Sequence, residues 1–115
     1  MANTFKVITK ANVTSADVIY TVAGSTTTVI LGFVLGNTTT SQVTATVSLA
    51  SDTGSRAGAN NEANQTVELV TNAPIPAGSS LEMLAGNKVV METTDALSVT
   101  GSGSTDVCLS IMEIT

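Results

Sequence analysis

The stretch "SQVTATVSLAS", residues 41–51, decides the fold class of this chain. Apolar side chains stand at Val43, Ala45, Val47 and Leu49, and a hydroxyl side chain separates each from the next. Because successive side chains of a strand point to opposite faces, this strict alternation predicts a strand with one buried and one solvated face. No segment repeats apolar residues at the spacing of three and four that a long helix needs. We therefore expect an all-β protein.

The preceding stretch, "TTTVILGFVLGN" (residues 26–37), is apolar on both faces from residue 29 to residue 35. This pattern predicts a central strand that is covered on both sides, or one whose outer face meets a partner. Ile30 and Val34 are therefore candidate interface residues. The segment "GNTTTS" that follows is turn-like, so we expect strands 29–35 and 43–49 to form a hairpin.

Seven further short strands are predicted, separated by turn-like segments such as "AGS", "TTD" and "GSGST". They span residues 5–9, 18–22, 66–71, 81–84, 88–92, 97–100 and 106–114. The segment "AGNK" (85–88) predicts a tight hairpin between two of them. Eight or nine strands at this spacing predict a single domain over residues 1–115, an antiparallel β-sandwich with jelly-roll or Greek-key-like connections.

The amino-acid composition argues against several classes of function. Only 11% of the residues are charged, and nine acidic against four basic residues give a net charge of −5. Four scattered cations cannot neutralise a row of phosphates, which argues against nucleic-acid binding. Without histidine, and with one cysteine, the chain offers neither a usual zinc site nor a disulfide. We expect no metal and no cofactor.

The amino-terminal residues "MANTFKVITKANV" (1–13) contain no long apolar core, so no signal peptide is predicted. No segment reaches the length of a membrane-spanning helix. We expect production in a cytoplasm and no membrane partner.

The stretch "SDTGSRAGANNEANQ" (51–65) interrupts the strand pattern, with no apolar residue larger than alanine. A loop of this length in a small domain is usually functional or mobile. Two interpretations stay open: an arm that orders on a neighbouring subunit, or a mobile tip. Arg56, Asn60 and Asn61 are candidate contact residues of such an arm.

Catalytic motifs are few. "DTGS" (52–55) matches the active-site triplet of aspartic proteases, but its hydrophobic lead-in is broken by Ala50 and Ser51, so a turn is the preferred interpretation. Most of the other carboxylates stand at outward positions of predicted strands or beside turns, and the chain has almost no aromatic residues to stack on a sugar. Cys108 has no histidine to activate it. We expect no enzyme activity.

The only two prolines, Pro74 and Pro76, lie two residues apart in "NAPIPAGSSLEML" (72–84). In an extended chain, N–H groups two residues apart point to the same edge, so both prolines remove a donor there. Ile75 is then expected to face inward. Because the edge lacks these N–H donors, we expect that no additional strand pairs with it. Both prolines and Phe5 complete the set of candidate interface residues.

The segments "DVIYTVAGSTTTVILGFVLGNTTTSQVTATVSL" (17–49) and "ELVTNAPIPAGSSLEMLAGNKVVMETTDALSVTGSGSTDVCLSIMEI" (68–114) resemble small virion structural proteins of tailed bacteriophages. The resemblance covers nearly the whole chain except residues 51–65. It lies in the order of strands and Ala-Gly or Pro-Ala-Gly corners, and no catalytic motif is part of it.

The resemblance implies a β-sandwich and a place in the virion, assembled in the host cytoplasm. It implies a capsid decoration (cement) protein that bridges capsomers, with the major capsid protein or other virion proteins as partners. By analogy with other decoration proteins, a homo-oligomer and specifically a trimer is expected. The alternative is a neck, tail, baseplate or fibre-associated module, structural or receptor-binding.

Overall fold

The computed structural model describes residues 2–51, 65–83 and 88–115, and this part of the chain contains nine β-strands and no helix. The strands are β1 (Asn3–Val13), β2 (Ala16–Thr21), β3 (Thr27–Asn37), β4 (Val43–Ser51), β5 (Gln65–Ile75), β6 (Ser80–Met83), β7 (Val89–Met91), β8 (Ala96–Gly101) and β9 (Thr105–Ile114). Each of the nine predicted strands overlaps one of them. The prediction of an all-β protein is confirmed.

The strands form two antiparallel sheets. The five-stranded sheet has the order β1-β9-β3-β6, and β7 pairs with the same strand β3 as β6 does. The four-stranded sheet has the order β2-β8-β4-β5. The inner faces of the two sheets share one apolar core, which includes Phe33, Ile75, Leu97 and Leu109.

The connectivity is that of a jelly roll. Pairing is nested: β4 pairs with β5, β3 with β6 and β7, β2 with β8, and β1 with β9. The chain therefore resembles one long hairpin rolled up until β3 meets β9 and β4 meets β8. When β6 and β7 are counted as two parts of one strand, eight strands remain, as expected for this fold.

The predicted hairpin between strands 29–35 and 43–49 is wrong. β3 belongs to the five-stranded sheet and β4 to the four-stranded sheet, so the segment between them crosses from one sheet to the other. The Asn37 side chain holds this crossing: its amide group lies 2.9 Å from the Ile75 carbonyl oxygen and 2.8 Å from that of Ser41. A turn-like sequence marks a reversal of the chain without specifying which strands pair across it.

The hairpin predicted at "AGNK" is also wrong as a strand pairing. β6 and β7, on either side of this segment, both run antiparallel to β3 and lie one after the other along the same edge of it. Residues 84–87 themselves lie outside the described part of the chain.

A bulge in β3 corrects the prediction for Ile30. The register with β9 shifts between Ile30 and Gly32, so Leu31 is an extra residue. Without a bulge, residues 30 and 34 would share a face. With it, Ile30 joins Phe33 in the core and is fully buried, whereas Val34 stays on the outer face.

Pro74 lies on a sheet edge, as predicted, whereas Pro76 follows the end of β5. β5 is an outer strand of the four-stranded sheet, and Pro74 lies opposite Thr44. The Thr44 backbone exchanges hydrogen bonds with Ser102 on its other side, so this pair is not hydrogen-bonded and the Pro74 nitrogen faces the open edge. Ile75 is fully buried, as expected.

After β5, Gly78 reverses the chain with a φ of 68°. The turn is closed by a hydrogen bond from the Ser79 N–H to the Pro76 carbonyl oxygen.

Candidate interaction surfaces

The outer face of the five-stranded sheet carries a row of apolar side chains that crosses four strands. Phe5 on β1 lies beside Met112 on β9, which lies beside Val29 on β3, which lies beside Val90 on β7. We call these four residues the apolar band. At the usual spacing of neighbouring strands it is about 15 Å wide.

The band is open to solvent. Phe5 is 71% and Val90 is 58% exposed, and no described element lies over this face. Val7, 63% exposed, flanks the band on β1. Toward the other end of the same face, the exposed carboxylates of Glu82 and Asp106 replace apolar groups. Large apolar side chains arranged contiguously on one face are typical of an interaction surface.

The outer face of the four-stranded sheet is different, because hydroxyl side chains dominate it. They include Thr44, Thr46, Ser48, Ser98 and Thr100, at the outward positions of β4 and β8. This arrangement confirms the solvated side of the alternating stretch 41–51. The sandwich therefore has one apolar and one hydroxyl-rich face.

The candidate interface residues are distributed unevenly over these surfaces. Phe5 belongs to the apolar band, and Val34, 38% exposed, lies on the same outer face. Ile30 is in the core and offers no surface. Pro74 and Pro76 are exposed at the opposite edge of the sandwich. The residues of "DTGS" and residues 52–64 of the proposed arm, Arg56, Asn60 and Asn61 among them, lie outside the described residues.

Sequence reasoning missed a polar cluster that joins the two sheets. The Glu113 carboxylate lies 2.7 Å from the Lys6 ammonium and accepts a 2.6 Å hydrogen bond from the Tyr20 hydroxyl. Because this bond uses the only hydroxyl proton of Tyr20, the buried Thr28 hydroxyl must be the donor in its 2.7 Å contact with the tyrosine oxygen. The sequence did contain a signal for this cluster, because Glu113 continues the series of inward-facing positions 107, 109 and 111 on β9.

In this cluster Glu113 stabilises the protonated form of Tyr20, and Tyr20 stabilises the ionised form of Glu113. The hydrogen bonds from Lys6 and then Tyr20 lower the pKa of Glu113. Burial, followed by the hydrogen bond to Glu113, raises the pKa of Tyr20 to about 12. A neutral tyrosine that donates to an ionised carboxylate forms a charge-assisted hydrogen bond, and here that bond links β2 of one sheet to β9 of the other.

A cleft of about 480 Å³ opens where β4 ends and β5 begins. It is lined by Leu49, Ser51, Gln65, Val67, Val90, Glu92 and Asp95. Asp95 has a structural role, because its carboxylate accepts a 3.0 Å hydrogen bond from the Glu92 N–H and its own N–H donates to the Glu92 carbonyl. This pattern stabilises a turn.

Within residues 2–51, 65–83 and 88–115, no group of three or more metal-ligating acidic or cysteine side chains converges. The same residues contain no helix that is long and apolar enough to span a membrane.

No protein-family model and no curated protein sequence matches this chain. Among solved structures, a chain of the infectious bursal disease virus Gx strain is 12% identical, with a TM-score of 0.56 over 98% of this chain. A chain of the T13 particle of the same virus is 11% identical, with a TM-score of 0.51 over 96% of this chain. This chain spans about a third of their length, 33% and 35%.

A third structure is that of Bacillus endospore appendages, described as a family of disulfide-linked pili. Its identity is 18% and its TM-score 0.45, covering 96% of this chain and 85% of that one. At these identities the viral likenesses concern the fold alone. The chain thus has a β-sandwich fold that also occurs in chains of viral particles.

Proposed function

We propose that this chain is a non-enzymatic structural protein of a tailed-bacteriophage virion, a capsid decoration protein that stabilises the shell by bridging capsomers. The observation that carries the proposal is the contrast between the apolar band and the hydroxyl-rich face of the opposite sheet. The fold shared with chains of viral particles and the resemblance of the sequence to small phage virion proteins support it.

In this role the five-stranded sheet lies against the shell and the four-stranded sheet faces solvent. Full burial of a side chain such as Phe5 or Val90 contributes about 1.5–3 kcal/mol, so the band can supply a weak but specific contact. Many identical contacts over a closed shell then hold it strongly, because each bound copy limits the movement of the capsomers that it bridges. A surface with few charges makes this contact largely independent of salt.

The experiment uses particles that lack the protein and adds purified chain back. Val90→Ser removes an apolar side chain of the band, and Val18→Ser is the matched control, because Val18 is 54% exposed on the other sheet. We expect wild type and the control to bind at high copy number and to raise the temperature at which shells open. Val90→Ser should bind about tenfold more weakly, since it loses roughly 1.4 kcal/mol of apolar burial.

Copy counting by mass spectrometry on separated heads and tails tests the location. Presence in tails alone would replace the decoration role with the neck, tail or baseplate alternative. Absence from both fractions would contradict a virion role. Equal binding of the Val90 and Val18 variants would contradict docking through the five-stranded sheet.

A further inference from the structure

The outer edge of β1 is a long strand edge without a partner in the described part of the chain. β1 spans Asn3–Val13 and pairs with β9 alone. Its register with β9 is unbroken from Asn3 to Lys10. The other edge of the strand therefore presents regular, extended backbone over the same length.

The backbone groups that face this edge can be identified. Ala2 and Thr115 exchange both of their backbone hydrogen bonds, at 3.2 and 2.9 Å, so the Ala2 groups point toward β9. In an antiparallel ladder such pairs alternate with pairs whose groups point away. The N–H and C=O groups of Asn3, Phe5, Val7 and Thr9 consequently point to the open edge.

The other edges of the sandwich carry features that hinder strand addition. β2 has six residues and a register shift between Val18 and Tyr20. β5 has two register shifts and carries Pro74, whose nitrogen faces outward. β6 and β7 are four and three residues long. Short strands, bulges, prolines and lysines are how β-proteins protect their edges. Between Asn3 and Lys10, β1 has no bulge and no proline, and of these features it carries only Lys6 and Lys10.

Charge indicates what can pair with β1. The strand has two lysines and no acidic residue, and both lysines are paired: Lys6 with Glu113 at 2.7 Å and Lys10 with Asp17 at 3.5 Å. In a chain of net charge −5, this edge is thus locally balanced. Two copies can meet here with little repulsion.

We propose that β1 pairs antiparallel with β1 of a second copy, with Val7 at the two-fold axis. This register places Phe5 opposite Thr9 of the other copy and Lys6 opposite Ile8, so no two lysines oppose each other. It forms about six backbone hydrogen bonds from the groups at residues 5, 7 and 9. The two five-stranded sheets become one. The dimer takes the place of the trimer expected by analogy with decoration proteins, and the pairing does not depend on the virion role.

The first experiment measures the mass of the full chain in solution by light scattering over a range of concentrations. We expect a concentration-dependent dimer, at twice the 11.6 kDa of one chain. Val7→Pro removes an N–H that the β1–β9 ladder does not use, and should weaken the dimer at least about tenfold through the two hydrogen bonds lost at the axis. Val7→Thr keeps both the N–H and the branched shape, and should retain the dimer.

The second experiment does not depend on how Val7→Pro folds. In a Cys108→Ser background, Val7→Cys should form a disulfide-linked dimer on mild oxidation, because Cα atoms of a hydrogen-bonded pair lie about 5.5 Å apart. Thr9→Cys is the control, since its symmetry mate would lie about 14 Å away, four residues along the neighbouring strand. A monomer at all concentrations, a trimer, a dimer insensitive to Val7→Pro, or equal cross-linking of both cysteine variants would each overturn the proposal.

Discussion

At the scale of single residues, Asn37 shows how one buried amide determines a sheet crossing. Its oxygen accepts hydrogen bonds from the Thr39 N–H and hydroxyl, both at 2.8 Å, while its nitrogen faces carbonyls on two segments, those of Ser41 and Ile75. We expect Asn37→Ala to lower the free energy of unfolding by about 2–4 kcal/mol, because several buried partners lose their hydrogen bonds. Urea denaturation measures this, with the exposed Thr40→Ala as the control. Equal stability of the two variants would show that Asn37 does not hold the corner.

Tyr20 makes a pH-dependent contribution to stability. Its pKa rises from 10.0 in the unfolded chain to about 12 in the folded one. The folded state therefore favours the protonated form, and this stabilisation is complete below pH 10.0 and is lost as the pH rises toward 12. The shift of the Tyr20 pKa sets an upper bound of about 2–3 kcal/mol on this loss, and solvent screening of the partly exposed side chain makes the loss smaller than that.

The test compares wild type with Tyr20→Phe, which removes the only tyrosine hydroxyl of the chain. Urea denaturation at about pH 8 and about pH 11.5 should show a steeper loss of stability in the wild type. The variant is expected to be less stable at the lower pH, because Glu113 loses one of its two hydrogen-bonded partners. Parallel pH profiles for the two proteins would rule out the proposed tyrosine contribution. The lowered pKa of Glu113 has the opposite sign, so its contribution is lost on acidification.

At the scale of secondary-structure elements, the edge of β5 depends on Pro74. Because its nitrogen faces the open edge, Pro74→Thr adds a free donor without breaking a hydrogen bond to β4. We expect the free energy of unfolding to change by less than about 1 kcal/mol, while association at high concentration increases. Light scattering over time measures this. Ala77→Thr, which adds the same side chain in the exposed turn, should not associate, and equal behaviour of the two variants would contradict edge protection.

The strands themselves were predictable because alternation and turn residues are local signals. The stretch 41–51 has the face pattern that its sequence predicts, with Val43, Ala45 and Val47 buried. The apolar character of both faces of β3 likewise predicted a central strand that is covered on both sides or whose outer face meets a partner, and β3 lies inside its sheet, between β9 and the strands β6 and β7. The neighbouring Gly32 is a local signal for the bulge at Leu31, because a glycine inside a strand often marks a bulge, but it does not specify which residue is the extra one. For this reason Ile30 was placed on the wrong face.

At the scale of the whole molecule, the rolled hairpin brings the two ends of the described chain together. Ala2 and Thr115 exchange backbone hydrogen bonds, and β9 is held between β1 and β3. The apolar band exists only because of this arrangement, since its four residues come from strands far apart in sequence. The cluster of Lys6, Tyr20 and Glu113 has the same origin.

The sequence by itself determined that the chain is made of strands, roughly where each begins and ends, and that Pro74 lies on a sheet edge. These properties arise within a few residues through backbone preference and alternating burial. Only the tertiary structure decided which strands pair, which face Ile30 joins, and where Phe5 and Val90 meet in one band. Pairing partners are chosen by burial of the whole core and by contacts such as those of Asn37, and neither is encoded in a local pattern.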